Sequence, residues 1–316
     1  MAGKGTNPAR GGDREDGDTA QGCAMKAAAF DYVAPRTLAE AAAALAEAGE
    51  EGRLLAGGQS LGPMLNLRLA RPGLLIDITR IAALKRIEDR GDRVLIGATV
   101  THAALEDRRF PFAGHDRLAE VARGIAYRAV RNRGTIGGSI AHADPAADWL
   151  TVLTALGAEL AIAGPEGRPG AGDRRALGGF VRGAFQTALA PGEIIEGVLL
   201  PKLPAATRWG YYKLCRKPGE YADAMCAVVF DPERRQCRVI AGATSGAPAA
   251  LDDLAERLAV EGAAAATPAR AAAAIAAALP GLDAIDARLH AVAVERAARQ
   301  AFAPQEAASS DRKFPS

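Results

Sequence analysis

Aromatic side chains are scarce in this chain. Phe, Trp and Tyr together make up 5% of its 316 residues. A core of stacked aromatics is excluded, and the heavy use of alanine favours helices packed through small side chains. The four cysteines, Cys23, Cys215, Cys226 and Cys237, contain no C-x-x-C pair. Neither a zinc site nor an iron–sulfur cluster is therefore supported within the chain. A secreted disulfide framework does not suit a chain of this size. The four histidines are scattered and suggest no metal cluster. No apolar run reaches the roughly 18 residues of a membrane span. The formal net charge is only +2, which gives no case for nucleic acid. G-x-G-x-x-G and Gly-Lys-Ser/Thr are both missing, so a Rossmann fingerprint and a Walker loop are excluded.

The length is enough for two or three domains. Residues 1–24 are polar and rich in Gly, Asp and Arg, without an apolar segment or an adjacent Arg pair. They read as a disordered extension rather than a secretory or twin-arginine signal, with the folded part beginning near Met25. A cytoplasmic protein is expected, with the inner face of the membrane as the alternative place.

Lys26–Tyr32 reads as a strand. Thr37-Leu38-Ala39-Glu40 is a capping box before an Ala/Leu helix reaching Gly49. Arg53–Ala56 is a short strand that breaks at Gly57-Gly58-Gln59-Ser60. Leu61, Met64, Leu65 and Leu69 then keep helical spacing, and Gly73–Ile78 is a strand. A second unit holds a strand over Arg93–Ala98, a short helix capped by Thr101, and a longer helix marked by Leu118, Val121, Ala122 and Ile125. Next comes Arg131-Asn-Arg-Gly-Thr-Ile-Gly-Gly-Ser-Ile-Ala-His-Ala-Asp-Pro-Ala-Ala-Asp148. Here Gly137-Gly138 reads as a turn whose bare backbone offers N–H donors to an anion. Asp144 is the expected N-cap and Pro145 the first residue of a helix ending at Gly157. Strands are expected at Glu159–Ala163, Phe180–Thr187 and Glu193–Leu200, with an exposed Gly164–Gly172 loop. The domain boundary is placed at Pro201–Pro204. Beyond it lie three strands (Trp209–Leu214, Met225–Phe230, Cys237–Ala243) and three helices (about Leu251–Val260, Pro268–Ala278, Asp283–Ala301).

The two glycine turns are informative as a pair. Ala56-Gly57-Gly58-Gln59-Ser60 and Thr135-Ile136-Gly137-Gly138-Ser139 each open onto a helix, in different α/β units. Facing each other across a cleft, they suit the two phosphates of a dinucleotide. Gln59, Ser60, Thr135 and Ser139 would add side-chain donors.

Four motifs in order carry a family resemblance. Leu55-Ala-Gly-Gly-Gln-Ser-Leu61, with Leu67-Arg-Leu-Ala70 and Leu75-Ile-Asp-Ile78 downstream, resembles the first FAD loop of molybdenum hydroxylase flavoprotein subunits. The segment from Arg131 to Asp148 resembles their second loop. Phe180–Gly183, Thr187-Ala-Leu and Pro191-Gly-Glu resemble the stretch before their carboxy-terminal domain, and Lys213-Leu-Cys-Arg-Lys-Pro-Gly-Glu-Tyr-Ala222 the strand that enters it. The match covers about residues 25–300. The family is the medium, FAD-binding subunit of aerobic carbon monoxide dehydrogenase and its xanthine and nicotinate dehydrogenase relatives.

The resemblance implies an α+β fold of the PCMH type. Two α/β subdomains, about 25–80 and 81–202, would clasp FAD within a domain spanning 25–202. A carboxy-terminal domain, 205–303, would hold a three-stranded antiparallel sheet and a helix bundle, followed by a flexible tail, 304–316. It also implies that Ala56, Gly57, Gly58, Gln59, Ser60 and Leu61, with Thr135, Ile136, Gly137, Gly138 and Ser139, cradle the pyrophosphate and ribityl chain. Asp148 would be an acidic FAD contact, Lys213 a basic one, and Tyr221 an aromatic beside the flavin ring. No residue is expected to act as acid or base on the substrate. Molybdopterin and the [2Fe–2S] clusters would sit on a large and a small partner subunit, in a dimer of heterotrimers. Electrons would pass from a partner's cluster through FAD to quinone, NAD or another acceptor. A stand-alone FAD-dependent oxidase or reductase of the same fold is the alternative, and a scaffold without flavin a third. Arg128, Arg131 and Arg133 face phosphates, face a partner's acidic surface, or are solvated charge; His142 reads as structural. Two positions depart from the pattern: Gln59 stands where the carbon monoxide branch often has His, and Ser139 where many relatives have Asn. Both keep a hydrogen-bonding side chain but weaken any case for carbon monoxide as substrate.

Overall fold

The computed structural model describes residues 26–109, 112, 114–167 and 173–303. The expected extension (1–24), the tail (304–316) and most of the second half of the Gly164–Gly172 loop lie outside them.

The first unit comprises β1 (Asp31–Val33), α1 (Leu38–Ala48), β2 (Gly52–Leu55), α2 (Leu61–Asn66) and β3 (Leu74–Asp77). Its sheet is parallel, in the order β1-β3-β2. Thr37 caps α1 by accepting from the Glu40 N–H at 3.1 Å. Glu40 reaches back one residue further than a capping box requires, taking the Arg36 N–H at 2.8 Å. Leu38, Ala41 and Ala42 then face Ile76 and Ile78 in a small core.

The second unit is larger. It comprises β4 (Ile87–Asp89), β5 (Arg93–Gly97), α3 (His102–Glu106), α4 (His115–Arg123), α5 (Arg128–Arg131), α6 (Ile136–His142), α7 (Asp148–Leu156), β6 (Glu159–Ala163), β7 (Arg174–Ala176), β8 (Val181–Gly183), β9 (Gln186–Thr187) and β10 (Ile194–Pro201). Its main sheet, β4-β5-β10-β6-β7, is antiparallel throughout. Here α7 is almost wholly buried: Trp149, Leu150, Val152 and Leu153 are the centre of the main core.

Asp144 and Pro145 do not start α7. Asp144 instead closes a local turn by accepting from the Ala146 N–H at 3.0 Å, and the helix begins at Asp148 after an Ala147 cap. The Gly137-Gly138 pair is also not a loop. It lies in the first turns of α6, whose cap is Thr135.

The chain leaves the second sheet at Pro201 and enters the third at Arg208. That sheet holds β11 (Arg208–Leu214), β12 (Ala224–Asp231) and β13 (Gln236–Gly242) as three long antiparallel strands, extended at one edge by a two-residue β14 (Ala249–Ala250). Then follow α8 (Asp252–Glu261), α9 (Pro268–Ala278) and α10 (Ala284–Phe302). From Ala224 to Phe230 β12 is buried at every position, because α10 covers one face of the sheet and α7 the other. Gly210 permits that approach: a β-carbon there would stand 1.9 Å from the Ala297 carbonyl oxygen. The sheet is thereby pressed onto the second unit through α7, which brings β11 beside Asp148.

Candidate functional site

The two glycine loops touch directly. A β-carbon on Gly57 would lie 2.2 Å from the Arg133 carbonyl oxygen and 2.8 Å from the Gly134 α-carbon. A β-carbon on Gly138 would lie 3.5 Å from that of Ala56. The first loop thus sits backbone-to-backbone on the second, and Gly58, at φ +71°, turns it into α2.

The loops differ in what they leave open. In the second loop the N–H of Ile136 goes to Val100 O, that of Gly137 to Ala98 O and that of Gly138 to the Thr135 hydroxyl. Thr135 and Ile136 are buried. Gly137 is a packing glycine: a β-carbon on it would meet that of Ala98 at 2.5 Å. The donors read from the sequence at Ile136, Gly137 and Gly138 are therefore taken by the fold. Anchoring α6 to the end of β5 requires those hydrogen bonds. From this loop the half-buried Ser139 keeps a side chain without a partner among the described residues.

In the first loop, by contrast, no described residue accepts the N–H groups of Gly57, Gly58, Gln59, Ser60 or Leu61. Ser60 makes no side-chain cap to α2. Gln59 is not the free donor the sequence suggested, since its amide folds back onto Gly57 O at 3.0 Å. The result is an arc of unclaimed backbone donors, braced on the second loop beneath it. Anionic oxygens, which only accept, match such an arc.

A second group lies where α7 meets β11. Asp148, 5% exposed, takes the Tyr211 hydroxyl on Oδ1 at 2.6 Å and the Lys213 ammonium at 3.1 Å. Lys213 also donates to Gly124 O at 3.3 Å. Two of the expected residues, Asp148 and Lys213, are thus joined across 65 residues of sequence. Tyr211 was not foreseen. Its signal is the two-residue period of a strand, which puts Trp209, Tyr211 and Lys213 on one face.

Tyr221 makes no hydrogen bond to that pair, though the Asp148 charge reaches it. It is 62% exposed, on the loop after β11, where Gly219 packs against the Ala126 backbone. Partial burial of its hydroxyl, then the charge and hydrogen bond of Asp144, raise its phenol above the ordinary value. Phe185, also exposed, donates its backbone N–H to Ala143 O at 2.9 Å and sets its ring 5.1 Å from that of His142.

The arginines divide. Arg131 is buried, bidentate on Glu106 at 2.7 and 3.1 Å and bonded to the carbonyls of Ile125 and Ala126. Arg128 pairs with Glu106 and Asp107. Its hydrogen bond, above all, pulls the Asp107 carboxyl down to about 2. Arg131 thus pins α5 from within, the exposed Arg128 is committed to two carboxylates, and Arg133 is exposed as well. His102 was also missed. Buried under the second loop, it accepts the Trp149 indole N–H at 3.1 Å. Loss of water first, then the Arg131 charge, push its pKa down to about 4. Among the described residues no group of His, Cys, Asp and Glu is placed to hold a metal ion.

Residues 28–203, which contain both loops and Asp148, match the model of the FAD binding domain in molybdopterin dehydrogenase. The chain belongs to that family. It is an FAD-binding-domain protein. The carbon monoxide dehydrogenase medium chain of Hydrogenophaga pseudoflava is 42% identical over 201 residues, covering 64% of this chain and 69% of that one. The 6-hydroxypseudooxynicotine dehydrogenase complex subunit alpha of Paenarthrobacter nicotinovorans is 36% identical over 214 residues, covering 67% and 71%. Among solved structures, the carbon monoxide dehydrogenase of H. pseudoflava superposes with a TM-score of 0.79 at 35% identity, covering 88% of this chain and 98% of its own. The quinoline 2-oxidoreductase of Pseudomonas putida 86 gives 0.75 at 30% identity, covering 88% and 98%. These alignments extend the α+β fold over the carboxy-terminal domain as well. No helix among the described residues is long and apolar enough to cross a membrane.

Proposed function

We propose that this chain is the electron-transfer subunit of a molybdenum hydroxylase complex, holding FAD between its glycine loops and the Asp148–Lys213 pair. The observation that carries this reading is the run of unclaimed N–H groups from Gly57 to Leu61, braced on the second loop. Gly57 to Leu61 meet the pyrophosphate through the backbone, with Ala56 beside them and the hydroxyls of Ser60 and Ser139 completing the set. Thr135, Ile136, Gly137 and Gly138 contribute by holding the floor. Asp148 and Lys213 fix polar atoms of the cofactor where the carboxy-terminal sheet meets α7, and Tyr221 stands at the rim beside the flavin. Bound FAD supplies the exchange between one-electron and two-electron carriers, and the protein supplies position and environment.

Electrons come from a partner's [2Fe–2S] cluster and leave to quinone, NAD or another acceptor. The molybdopterin large subunit and the iron–sulfur small subunit are the partners, in a dimer of heterotrimers, in the cytoplasm. The relatives support a multi-subunit complex, since two of them bear the names of a dehydrogenase medium chain and a dehydrogenase complex subunit.

Titration of the purified chain with FAD, followed in the flavin absorbance bands, tests the reading. Saturable binding at one equivalent is expected, and a chain that gains no flavin absorbance overturns it. Turnover of an organic substrate by the chain alone would instead identify a stand-alone flavoenzyme.

A further inference from the structure

We propose that Tyr211 is a positioning residue for Asp148: its hydroxyl fixes the carboxylate through which the chain holds FAD, so cofactor retention depends on a side chain of the carboxy-terminal sheet. The inference rests on the FAD reading above and assigns it a residue outside the two loops.

Asp148 has no partner on its own helix. It lies in the first turn of α7, whose cap, Ala147, has no side-chain hydrogen bond to offer. Both of its oxygens are served from β11. Lys213 supplies charge, but its ammonium is a rotatable point donor on a flexible stem and is shared with Gly124 O. Direction comes from Tyr211. The 2.6 Å hydrogen bond to Oδ1 is short and charge-assisted.

The ring that makes this bond is itself held. It stacks on Trp209 at 6.2 Å and 20° between planes. The Tyr211 backbone N–H is tied to Gln300 of α10 at 3.0 Å. The opposite face of the strand, Tyr212 and Leu214, packs into the helix-bundle core. A twist of β11 would therefore be resisted from both sides.

Burial first, then the charge and hydrogen bond of Asp148, keep the Tyr211 phenol well above its ordinary range. It therefore stays a donor through the acid and neutral range. The other titratable groups facing the pair are Lys213 of β11, Glu120 of α4, Cys215 after β11, and Tyr221 with Asp144 at the rim.

The test is FAD titration of the full chain, with flavin absorbance as the readout. Tyr211→Phe keeps ring and stack. We expect it to weaken FAD binding about tenfold, because the Asp148 carboxylate loses the donor that directs it. Incorporation of 3-fluorotyrosine at Tyr211, a stronger donor of nearly equal volume, should keep or tighten FAD binding, and it reports even if the phenylalanine variant does not fold. In an Asp148→Asn background Tyr211→Phe should have little further effect on affinity. Wild-type affinity in Tyr211→Phe, or an equal loss on Tyr211→Phe with and without Asp148→Asn, would overturn the inference while leaving the FAD reading intact. Failure of the unmodified chain to bind FAD would overturn both.

Discussion

The α-carbon of Gly57 rests on the carbonyl of Arg133 so closely that a β-carbon would stand 2.2 Å from its oxygen. This is backbone against backbone, so no side chain can swing away to make room. Gly57→Ala must part the two loops. The expected result is a loss of about 1–3 kcal/mol of stability from overpacking, together with loss of FAD retention. Denaturant unfolding and flavin titration measure the two effects. Full FAD affinity in the folded variant would mean that the loops need not touch.

His102 makes stability depend on pH. Its folded pKa, about 4, lies below the ordinary 6.5 because burial and the Arg131 charge disfavour the imidazolium. Between those values the unfolded chain takes up the proton more readily than the folded one. The contribution is therefore full above pH 6.5 and is lost as pH falls toward 4. Its ceiling is about 3 kcal/mol. Urea midpoints at pH 7.5 and 5.0 should differ less in His102→Gln than in the unmodified chain. Equal pH slopes in the two would exclude His102 as the source.

Arg131 should behave as a structural residue. Arg131→Met leaves Glu106 with only Arg128 and orphans the carbonyls of Ile125 and Ala126. Breaking a buried pair in this way costs about 3–5 kcal/mol. Arg131→Lys should recover only part of it, since an ammonium cannot bridge both a carboxylate and two carbonyls. If Arg131→Met unfolds at the unmodified denaturant concentration and loses only FAD, the residue belongs to the phosphate site after all.

Much of the fold was legible because its signals are local. Thr37 and Thr101 cap the helices that follow them, and Gly157 ends α7, as the spacing of polar and apolar residues predicts. The turn at Asp231 is equally local, with its carboxylate taking the N–H groups of Glu233 and Arg234. Local signals also misled. Asp144-Pro145 has the chemistry of a helix start but spends it on a turn three residues early. The short strands β4 and β7 were missed because Ile87–Asp89 and Arg174–Ala176 are half-exposed, charged and only three residues long. At the site, both glycine pairs were visible, yet their division of labour was not. Whether Gly137 bares a donor or admits Ala98 depends on a strand 39 positions earlier, which no window around the loop contains. Tyr211 and Asp148 are 63 residues apart and meet only because α7 packs under the third sheet.

That buried cluster allows folding and cofactor binding to be separated. Asp148, Tyr211 and Lys213 form one satisfied polar group in an otherwise apolar contact. Lys213→Met alone leaves a buried carboxylate with a single donor, at a cost of about 3 kcal/mol. Removing the whole cluster is a different perturbation. In Asp148→Leu/Tyr211→Phe/Lys213→Met no charge or hydroxyl is left unpaired, and such apolar replacements of buried ion pairs are often neutral or stabilising. The triple variant should therefore unfold at a higher denaturant concentration than Lys213→Met, close to the unmodified chain. If the cluster serves FAD, the same protein must still fail to hold the cofactor, since no side chain there can bond to it. Recovery of stability and of flavin absorbance together would make the cluster a packing device only. Recovery of stability without flavin would show that three polar residues persist in this core for the ligand.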